Sequence, residues 1–419
     1  MALLYLVAYL DRLNLGFAAL QMNAALGFSS EVFGFGAGIF FIGYFLFEVP
    51  SNLVLARVGA RVWLARIAIV WGLISIGMLF VQGVRSFYVM RFLLGAAEAG
   101  FFPGVVLYFT YWFPAAERAR AMAQFTTASM AAGILGSPLS GLLLSLRGVG
   151  GLAGWQWLFL AEGLPAVILG IVALWYLTDR PEHARWLPDS EKVWLIDTLR
   201  REREYTARPD ADTLRAGLLD RSVWGFAAVL FLMVTSGYGF SFFLPQIVKG
   251  LSGGSDLAVG LWSAVPFLAA AVAMVIVAAH SDRTGERRVH VACCACTAAI
   301  GLAWASYAAT PVLAFLALVI AAIGLYSATP PFWSMPTAML RGTGAAAGIA
   351  LINAVGNLGG FMGPYAMGWM RDAFGDFHVG LRILSAAAVL GGVMVLIVGA
   401  PRRVTKSRTA AQVTARSEA

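Results

Sequence analysis

Two residues of opposite charge lie in the middle of an apolar stretch that runs from about residue 87 to residue 109. Arg91 and Glu98 are seven positions apart, which is close to two helical turns, so both side chains are expected on one helix face, about 10 Å apart. In a bilayer each charge costs roughly 2.5 kcal/mol or more to insert and normally faces a protein interior or a wet cavity. The pair therefore indicates either an ion pair that ties two helices together or a site for an anion and a proton.

The first two apolar stretches carry further polar groups. Asp11 and Arg12 are adjacent and project about 100° apart on a helix, so one can face a cavity while the other leans toward a neighbouring helix. Asn14 lies one turn from Asp11, and Tyr44 and Glu48 have an i, i+4 spacing. The alternative for Asp11 and Arg12 is a helix-end pair at the membrane surface. The alternative for Glu48 is a hydrogen bond between helices.

These residue types suit the binding of an anion together with protons. A buried arginine stays charged at any accessible pH and presents a planar fork that fits a carboxylate. A buried carboxylate is costly as the anion unless a cation is close, so its affinity for a proton depends on whether the arginine is free. When an anionic substrate occupies Arg12 or Arg91, the nearest carboxylate loses its counter-charge. Asp11 and Glu98 are then expected to bind protons, which couples the two movements.

The composition places these charges in a membrane protein. Hydrophobic residues make up 60% and charged residues 12% of the 419 residues, with a mean hydropathy of +0.77, whereas about a quarter of the residues of a soluble domain are charged. Apolar runs of about twenty residues recur along the chain, which predicts an all-α membrane protein. The net charge of +8 comes from basic residues in the loops. There they set topology, so no nucleic-acid partner is expected.

The apolar runs predict twelve transmembrane helices. Their expected boundaries are 1–23, 32–55, 62–82, 87–109, 118–145, 155–178, 222–248, 257–279, 289–309, 312–335, 344–369 and 378–400. Arginines concentrate in alternate connections, for example Arg57 and Arg61 after the second helix, which places those connections in the cytoplasm. Both termini are therefore expected on the cytoplasmic side, in agreement with the even number of helices.

A change of composition divides the chain. Residues 179–221 form a polar segment between an N-terminal bundle of six helices, residues 1–178, and a C-terminal bundle of six, residues 222–400, which a cytoplasmic tail of residues 401–419 follows. Ser190 begins a periodic run that predicts a short interfacial helix within the polar segment. Two such bundles are typical of transporters with a central substrate path.

The C-terminal half carries almost no charge inside its helices. Its polar candidates are Tyr238, Trp333, Asn353 and Asn357, which suit substrate contacts but are equally consistent with packing or hydrogen bonds between helices. The asymmetry predicts that the N-terminal half holds the charged coupling groups while the other half shapes the substrate. All histidines lie in or beside loops and no cluster has metal-ligand spacing, so no metal, cofactor or enzymatic site is expected.

Several motifs follow one another along nearly the whole chain. They are Tyr9-x-Asp11-Arg12-x-Asn14, Arg91-Phe-Leu-Leu-Gly-x-x-Glu98, Trp155-Gln-Trp-Leu-Phe-x-x-Glu162-Gly, Asp282-Arg-x-Gly-x-Arg-Arg288 and Asn353-Ala-Val-Gly-Asn357. Together they resemble the major facilitator superfamily, and within it the anion:cation symporter branch, which includes bacterial tartrate, galactonate and phthalate transporters. The resemblance implies the major facilitator fold.

The resemblance also implies roles for individual residues. Asp11 and Glu98 correspond to the protonatable pair of bacterial sugar-acid transporters. The positions that correspond to substrate-binding residues are Arg12, Arg91, Tyr44, Trp333 and Asn353, and Asn357 of the same motif is a further substrate-binding candidate. The loop after the eighth helix corresponds to a cytoplasmic latch, formed by Asp282, Arg283, Arg287 and Arg288. The loop after the second helix, Ala56-Arg57-Val-Gly59-Ala-Arg61, lacks the acid of the family pattern, so the latch of the N-terminal half is expected to be weaker or differently built.

The function implied by the resemblance is proton-coupled import of an organic carboxylate by alternating access across a bacterial inner membrane, with the chain acting as a monomer. Two arginines favour a sugar acid or a dicarboxylate such as tartrate. An aromatic acid of the phthalate or hydroxyphenylacetate type is the alternative if aromatic side chains line the path, namely Phe40, Phe41, Phe102, Phe242 and Trp333. Anion exchange and sodium coupling are further alternatives. A non-transporting acid sensor is disfavoured because the polar segment has no room for a signalling domain.

Overall fold

The computed structural model describes residues 1–206, 220–339 and 343–398. Before the polar segment the helices are α1 Ala2–Leu26, α2 Ser30–Val58, α3 Ala60–Gly77, α4 Val84–Glu98, α5 Phe101–Trp112, α6 Ala115–Leu144 and α7 Gly154–Tyr176. The remaining helices are α8 Asp189–Thr206, α9 Arg221–Ser252, α10 Asp256–Thr284, α11 Arg288–Tyr307, α12 Pro311–Ser327, α13 Thr329–Met339, α14 Thr343–Asn357, α15 Gly359–Phe374 and α16 His378–Val398. Helix α8 begins one residue before the predicted start at Ser190. The tail, residues 401–419, and part of the polar segment, residues 207–219, lie outside the described residues.

Eleven segments of the described ranges are long and apolar enough to cross a membrane. Helices α4 and α5 form one of these segments, as do α12 and α13. The predicted eleventh helix, residues 344–369, is divided at Leu358 into α14 and α15, which are 15 and 16 residues long. These two helices together supply the remaining crossing. The predicted all-α membrane fold of two six-helix bundles is confirmed, and three of the crossings each consist of two helices.

The prediction of continuous helices was wrong at three places. The 87–109 helix is interrupted after Glu98, where Gly100 has a φ of 84° and a side chain at that position would meet Ser51 Oγ at 2.3 Å. The 312–335 helix is interrupted at Ala328, just before two consecutive prolines that cannot donate backbone hydrogen bonds. The 344–369 helix is interrupted at Leu358, before two glycines.

Short connections join successive membrane crossings within each bundle, and the longer polar segment joins α7 to α9, so the crossings alternate in direction. We call the end of the bundle where α1 starts the Met1 end, and the opposite end, where α1 stops, the Leu26 end. The end of α7, the helix α8 and the start of α9 therefore lie at the Met1 end. The turn between α1 and α2 and the turn between α15 and α16 lie at the Leu26 end.

The two bundles are in close contact at the Leu26 end. Helix α15 crosses α2 at Gly368, where an added Cβ would lie 2.1 Å from the carbonyl oxygen of Ser30. Asp372 accepts hydrogen bonds from the backbone nitrogens of Ser30 and Glu31, at 3.0 and 2.7 Å. This carboxylate thereby satisfies free amides at the start of α2 from the other bundle.

A second contact closes the same end between α6 and α10. An added Cβ on Gly260 would lie 2.5 Å from the carbonyl oxygen of Ser137. Asp256, at the start of α10, accepts hydrogen bonds from Gln21 Nε2 at 2.7 Å and from Lys249 Nζ at 2.9 Å. Glycines therefore bring backbones of the two bundles together here, and polar side chains hold them.

Because the approach of α15 to α2 leaves no room for a side chain, Gly368→Val is expected to separate the bundles at the Leu26 end. We expect several-fold faster labelling of Ala37→Cys, a fully buried position one turn from Gly34 in α2, by a membrane-impermeant maleimide in a chain without its native cysteines. Gly250→Val is the matched control, since nothing lies within 4 Å of an added Cβ there. Equal labelling in the two variants would contradict the proposed role of Gly368.

Candidate functional site

Within the described residues, every buried charged side chain belongs to the N-terminal bundle. These residues are no more than 7% exposed: Asp11, Glu48, Arg91, Glu98 and Glu162. Arg12 lies among them with its side chain 13% exposed. The asymmetry between the two halves that the sequence predicts is therefore present in the structure.

Arg12 lies where the two bundles meet. Its Nη2 pairs with Glu98 Oε1 at 2.5 Å, which joins α1 to α4. Its Nη1 donates a hydrogen bond to the hydroxyl of Tyr238 in α9, at 3.3 Å. Three aromatic rings surround the guanidinium, with centres 5.3, 5.4 and 5.5 Å from Cζ: Tyr9, Phe40 and Tyr44. We call Arg12, Glu98 and Tyr238 the outer layer of the site.

Arg91 and Asp11 lie deeper in the N-terminal bundle, and we call them the inner layer. Arg91 is 1% exposed, its Nε donates to the carbonyl of Gly36 at 3.3 Å, and its Cζ lies 5.0 Å from the ring centre of Phe40. Its two terminal nitrogens form no hydrogen bond within the described residues, and Asp11 is within electrostatic range of it. One oxygen of Asp11 accepts a hydrogen bond from Ser75 of α3, and Oδ2 has no partner there.

The adjacent side chains of Asp11 and Arg12 diverge, as helix geometry predicts. Asp11 points toward α3, and Arg12 points toward α4 and α9. Arg91 and Glu98 are both buried, but the ion pair of Glu98 is with Arg12 of another helix. The four charged residues thus form two layers that run from the bundle interface into the N-terminal bundle.

In the sequence, Glu162 belongs to one of the family motifs but has no predicted role, and the structure brings it next to the inner layer. Glu162 is 2% exposed, and its Oε1 accepts a hydrogen bond from Ser140 Oγ at 3.2 Å. Asn14 is completely buried and close to both Glu162 and Asp11. The only sequence signal for this acid was a carboxylate inside the apolar run of α7.

The other predicted substrate residues differ in how close they lie to Arg12. Tyr44 faces Arg12. Asn353 Nδ2 donates to Glu48 Oε1 at 3.1 Å and so joins α14 to α2 across the bundle interface. This bond is the interhelical alternative considered for Glu48. Trp333 packs on Phe332 with ring centres 5.5 Å apart, beside a hydrophobic cluster of the C-terminal bundle, and Asn357 is half-buried. The described contacts connect neither of the last two residues to Arg12.

The four residues of the predicted latch lie at the Met1 end, around the turn between α10 and α11. Asp282 Oδ1 pairs with Arg287 Nη1 at 2.6 Å, and the same nitrogen donates to Ser281 Oγ at 2.9 Å. Arg288 Nη1 donates to the carbonyl of Leu396 in α16, at 3.3 Å. Arg283 is exposed.

Glu286 in this turn holds the start of α11, because its Oε2 accepts a hydrogen bond from Val289 N at 2.8 Å. Partial burial by itself raises the pKa of Glu286. The hydrogen bonds from Val289 and His290 outweigh that effect and hold the pKa below its usual value.

The missing acid of the loop after α2 has a counterpart elsewhere in the chain. Asp179, just after α7, accepts a hydrogen bond from Arg61 N at 2.7 Å, and its other oxygen lies 3.8 Å from Arg61 Nε. Gly59 has a φ of 98°, and an added Cβ there would lie 3.0 Å from Asp179 Oδ1. The N-terminal half is therefore differently built at this loop, as the sequence allowed.

The arrangement of helices matches solved membrane transporters. The structure of a bacterial homolog of the human lysosomal transporter Spinster, in an inward-facing and occupied conformation, aligns with a TM-score of 0.71 and 18% identity, over 95% of this chain and 93% of that chain. At this identity the likeness concerns the fold. Residues 1–364 match the sequence model of the Major Facilitator Superfamily. The chain belongs to this superfamily and is a membrane transporter, not an enzyme.

Two curated relatives cover nearly the whole chain. A protein of Agrobacterium vitis named "Putative tartrate transporter" is 51% identical over 413 residues, which cover 98% of this chain and 91% of the relative. A protein of Acinetobacter baumannii named "Quinolone resistance transporter" is 42% identical over 410 residues, which cover 98% of this chain and 94% of the relative. Both similarities place the chain among transporters of the superfamily, and the first is consistent with an organic anion transporter.

Proposed function

We propose that the protein imports an organic carboxylate together with protons, by alternating access across a bacterial inner membrane. The observation that supports this most is the Arg12–Glu98 ion pair at the bundle interface. A substrate carboxylate can take the guanidinium fork in place of Glu98. Glu98, 1% exposed, then has no counter-charge and binds a proton. Anion binding and proton binding are thereby linked at one ion pair.

The inner layer provides a second acid for the cycle. Asp11 is buried near Arg91, whose terminal nitrogens form no hydrogen bond within the described chain. Arg91 lies behind Arg12, since it is 1% exposed whereas the Arg12 side chain is 13% exposed. We therefore assign the direct substrate contact to Arg12. Arg91 sustains the charge of Asp11 until the substrate is bound.

The surroundings of Arg12 favour a hydroxylated acid. Tyr9 and Tyr238 are half-buried beside the guanidinium, and their hydroxyls can bond to hydroxyl groups of a substrate. Three of the four candidate phenylalanines are no more than 2% exposed and so offer little surface to a ligand: Phe40, Phe41 and Phe242. The fourth, Phe102, is half-buried. A tartrate-type dicarboxylate or a sugar acid is therefore our first candidate, in line with the name of the Agrobacterium relative.

An aromatic carboxylate is the second candidate. Three ring faces surround the guanidinium of Arg12, and an aromatic acid could stack in their place. The name of the Acinetobacter relative refers to quinolones.

A groove lies at the Met1 end of the N-terminal bundle, and packed aromatic rings separate it from Arg12. It has a volume of about 410 Å³ and is lined in part by Phe109, Arg120 and Phe125. The ring of Phe125 lies 4.2 Å from that of Tyr5, which lies 4.9 Å from that of Tyr9 beside Arg12. If both termini are cytoplasmic, as the arginine pattern favours, the closed Leu26 end is periplasmic. The contacts between the bundles at that end then support a state closed toward the periplasm.

Uptake by proteoliposomes tests the proposal. Purified protein is first screened by thermal shift against tartrate, an aldonate and phthalate, because a ligand stabilises the state that binds it. Uptake of the stabilising acid is then followed with and without an imposed pH gradient, in the presence and absence of sodium. We expect accumulation when the outside is acidic, independent of sodium. Uptake that ignores the pH gradient, or that requires sodium, contradicts proton symport.

A further inference from the structure

Glu162 is a buried acid that the transport steps above do not use. It is 2% exposed in α7, and its one hydrogen bond in the described part of the chain comes from the hydroxyl of Ser140. Its Oε2 has no partner there. A carboxylate without a cation is among the most costly groups to bury as an anion.

The neighbouring charges do not include a cation for Glu162. The outer layer pairs Arg12 with Glu98, and the inner layer places Arg91 near Asp11. Each of these two pairs is neutral by itself, so Glu162, like Glu48, is a buried acid in excess of the two arginines. As an anion, it would repel Asp11, which faces it from α1.

Among the described residues, the other helices packed against α7 place no cation next to Glu162. Helix α3 contributes the hydroxyl of Ser75, already bound to Asp11, and α6 contributes the hydroxyl of Ser140. Helix α1 contributes Asp11 and the uncharged Asn14. The surroundings of Glu162 are therefore polar but neutral, apart from one further acid.

The protonation state of Glu162 can be argued from buried polar atoms of Glu162, Asn14 and Asp11 that have no hydrogen-bond partner in the described residues. Glu162 Oε2, both side-chain atoms of Asn14, and Asp11 Oδ2 are all buried without a hydrogen bond in the described residues. A protonated Glu162 can donate to Asn14 Oδ1, and Asn14 Nδ2 can then donate to Asp11 Oδ2. With both acids ionised, the two N–H groups of Asn14 can serve both carboxylates, but its own oxygen has no donor. A proton on either Glu162 or Asp11 pairs all four atoms. Arg91 lies near Asp11 and no cation lies near Glu162 in the described residues, so the proton is assigned to Glu162.

We propose that Glu162 carries a resident proton and acts, through Asn14, as a positioning residue that stabilises the ionised form of Asp11. The proton is a fixed part of the N-terminal bundle and is not one of the transported protons. The chain of bonds runs from Ser140 through Glu162 and Asn14 to Asp11. The effect on transport rests on the proposed function, whereas the presence of the proton does not.

The presence of the proton on Glu162 can be tested without a transport assay. Infrared difference spectra of the purified protein at neutral pH, wild type against Glu162→Gln, are expected to show the carbonyl band of a protonated carboxyl in the wild type only. Glu191→Gln, at an exposed position of α8, is the control and is expected to leave the band in place. If Glu162→Gln is not recovered, Asn14→Ala serves, because loss of the acceptor is expected to shift the band frequency.

Transport provides the second test, through the pH profile of substrate exchange. Glu162→Gln resembles the protonated acid and is expected to leave the profile unchanged. Glu162→Leu cannot donate to Asn14, so Asp11 binds its proton more easily and the midpoint is expected to move to higher pH by about half a unit or more.

Three results would overturn the assignment. The first is the absence of the carbonyl band from the wild type. The second is a pH midpoint of Glu162→Gln displaced to lower pH, which removal of a negative charge beside Asp11 would produce. The third is stabilisation of the wild type, but not of Glu162→Gln, by sodium ions. The last result would mean that a cation, not a proton, neutralises Glu162. If the protein shows the carbonyl band but no uptake driven by a pH gradient, the proposed function is contradicted, whereas the assignment of the resident proton to Glu162 is not affected.

Discussion

Replacement of Arg12 by glutamine is expected to reduce carboxylate uptake by about 100-fold or more. Two charge-assisted hydrogen bonds from the guanidinium to a carboxylate are worth about 3 kcal/mol, and each 1.4 kcal/mol corresponds to a tenfold change in affinity. The variant also leaves Glu98, 1% exposed, without its cation. We therefore expect loss of substrate-induced thermal stabilisation and loss of uptake together.

Arg12→Lys tests how much of the substrate affinity comes from the planar guanidinium and how much from the positive charge. The variant keeps the positive charge but loses the planar fork, so we expect it to retain about a tenth of the wild-type affinity or less. Arg66→Gln is the control, because Arg66 lies over the ring of Trp63, 4.6 Å from its centre, on α3, away from the described contacts of the site. Uptake by Arg12→Gln at the level of Arg66→Gln would show that substrate binds elsewhere.

Glu98→Gln is expected to abolish accumulation driven by a pH gradient while exchange of substrate across the membrane persists. The amide cannot take up and release a proton, so the carrier moves substrate only down its own gradient. For each coupled proton, a gradient of one pH unit supports about tenfold accumulation, and this factor is what the variant is expected to lose. The measurement compares uptake under an imposed gradient with counterflow at equal pH.

Glu98→Asp is the matched variant for that experiment. It keeps an ionisable group near Arg12, so we expect accumulation to fall but not to disappear. If Glu98→Gln accumulates substrate as the wild type does, Glu98 is not the coupling acid. Asp11→Asn in the same assay then decides whether the inner layer alone carries the proton.

Local sequence properties determine a large part of this protein. The length and hydropathy of the apolar runs predict the membrane crossings because an apolar helix of about twenty residues spans the hydrocarbon layer. The spacing of 100° per residue predicts that Asp11 and Arg12 diverge. The scarcity of charge in the C-terminal helices predicts the asymmetry of the site. Each of these properties depends on residues that are neighbours in sequence.

The tertiary structure decides which charges meet. Glu98 pairs with Arg12, 86 residues away, and no local rule selects that partner over Arg91. The break at Gly100 packs against Ser51 of another helix, and Asp179 takes the place of an acid that the loop after α2 lacks.

Glu162 is the clearest case of a residue whose meaning comes from packing. In the sequence it is a single carboxylate in an apolar run. Only the packing of α1 and α6 against α7 brings it next to Asn14 and Ser140 and leaves it without a cation. Residue type and spacing determine how costly a buried charge is, because that cost depends on its removal from water. The packed helices determine whether a counter-charge offsets it, because the electrostatic partner of a buried group is set by distance in space.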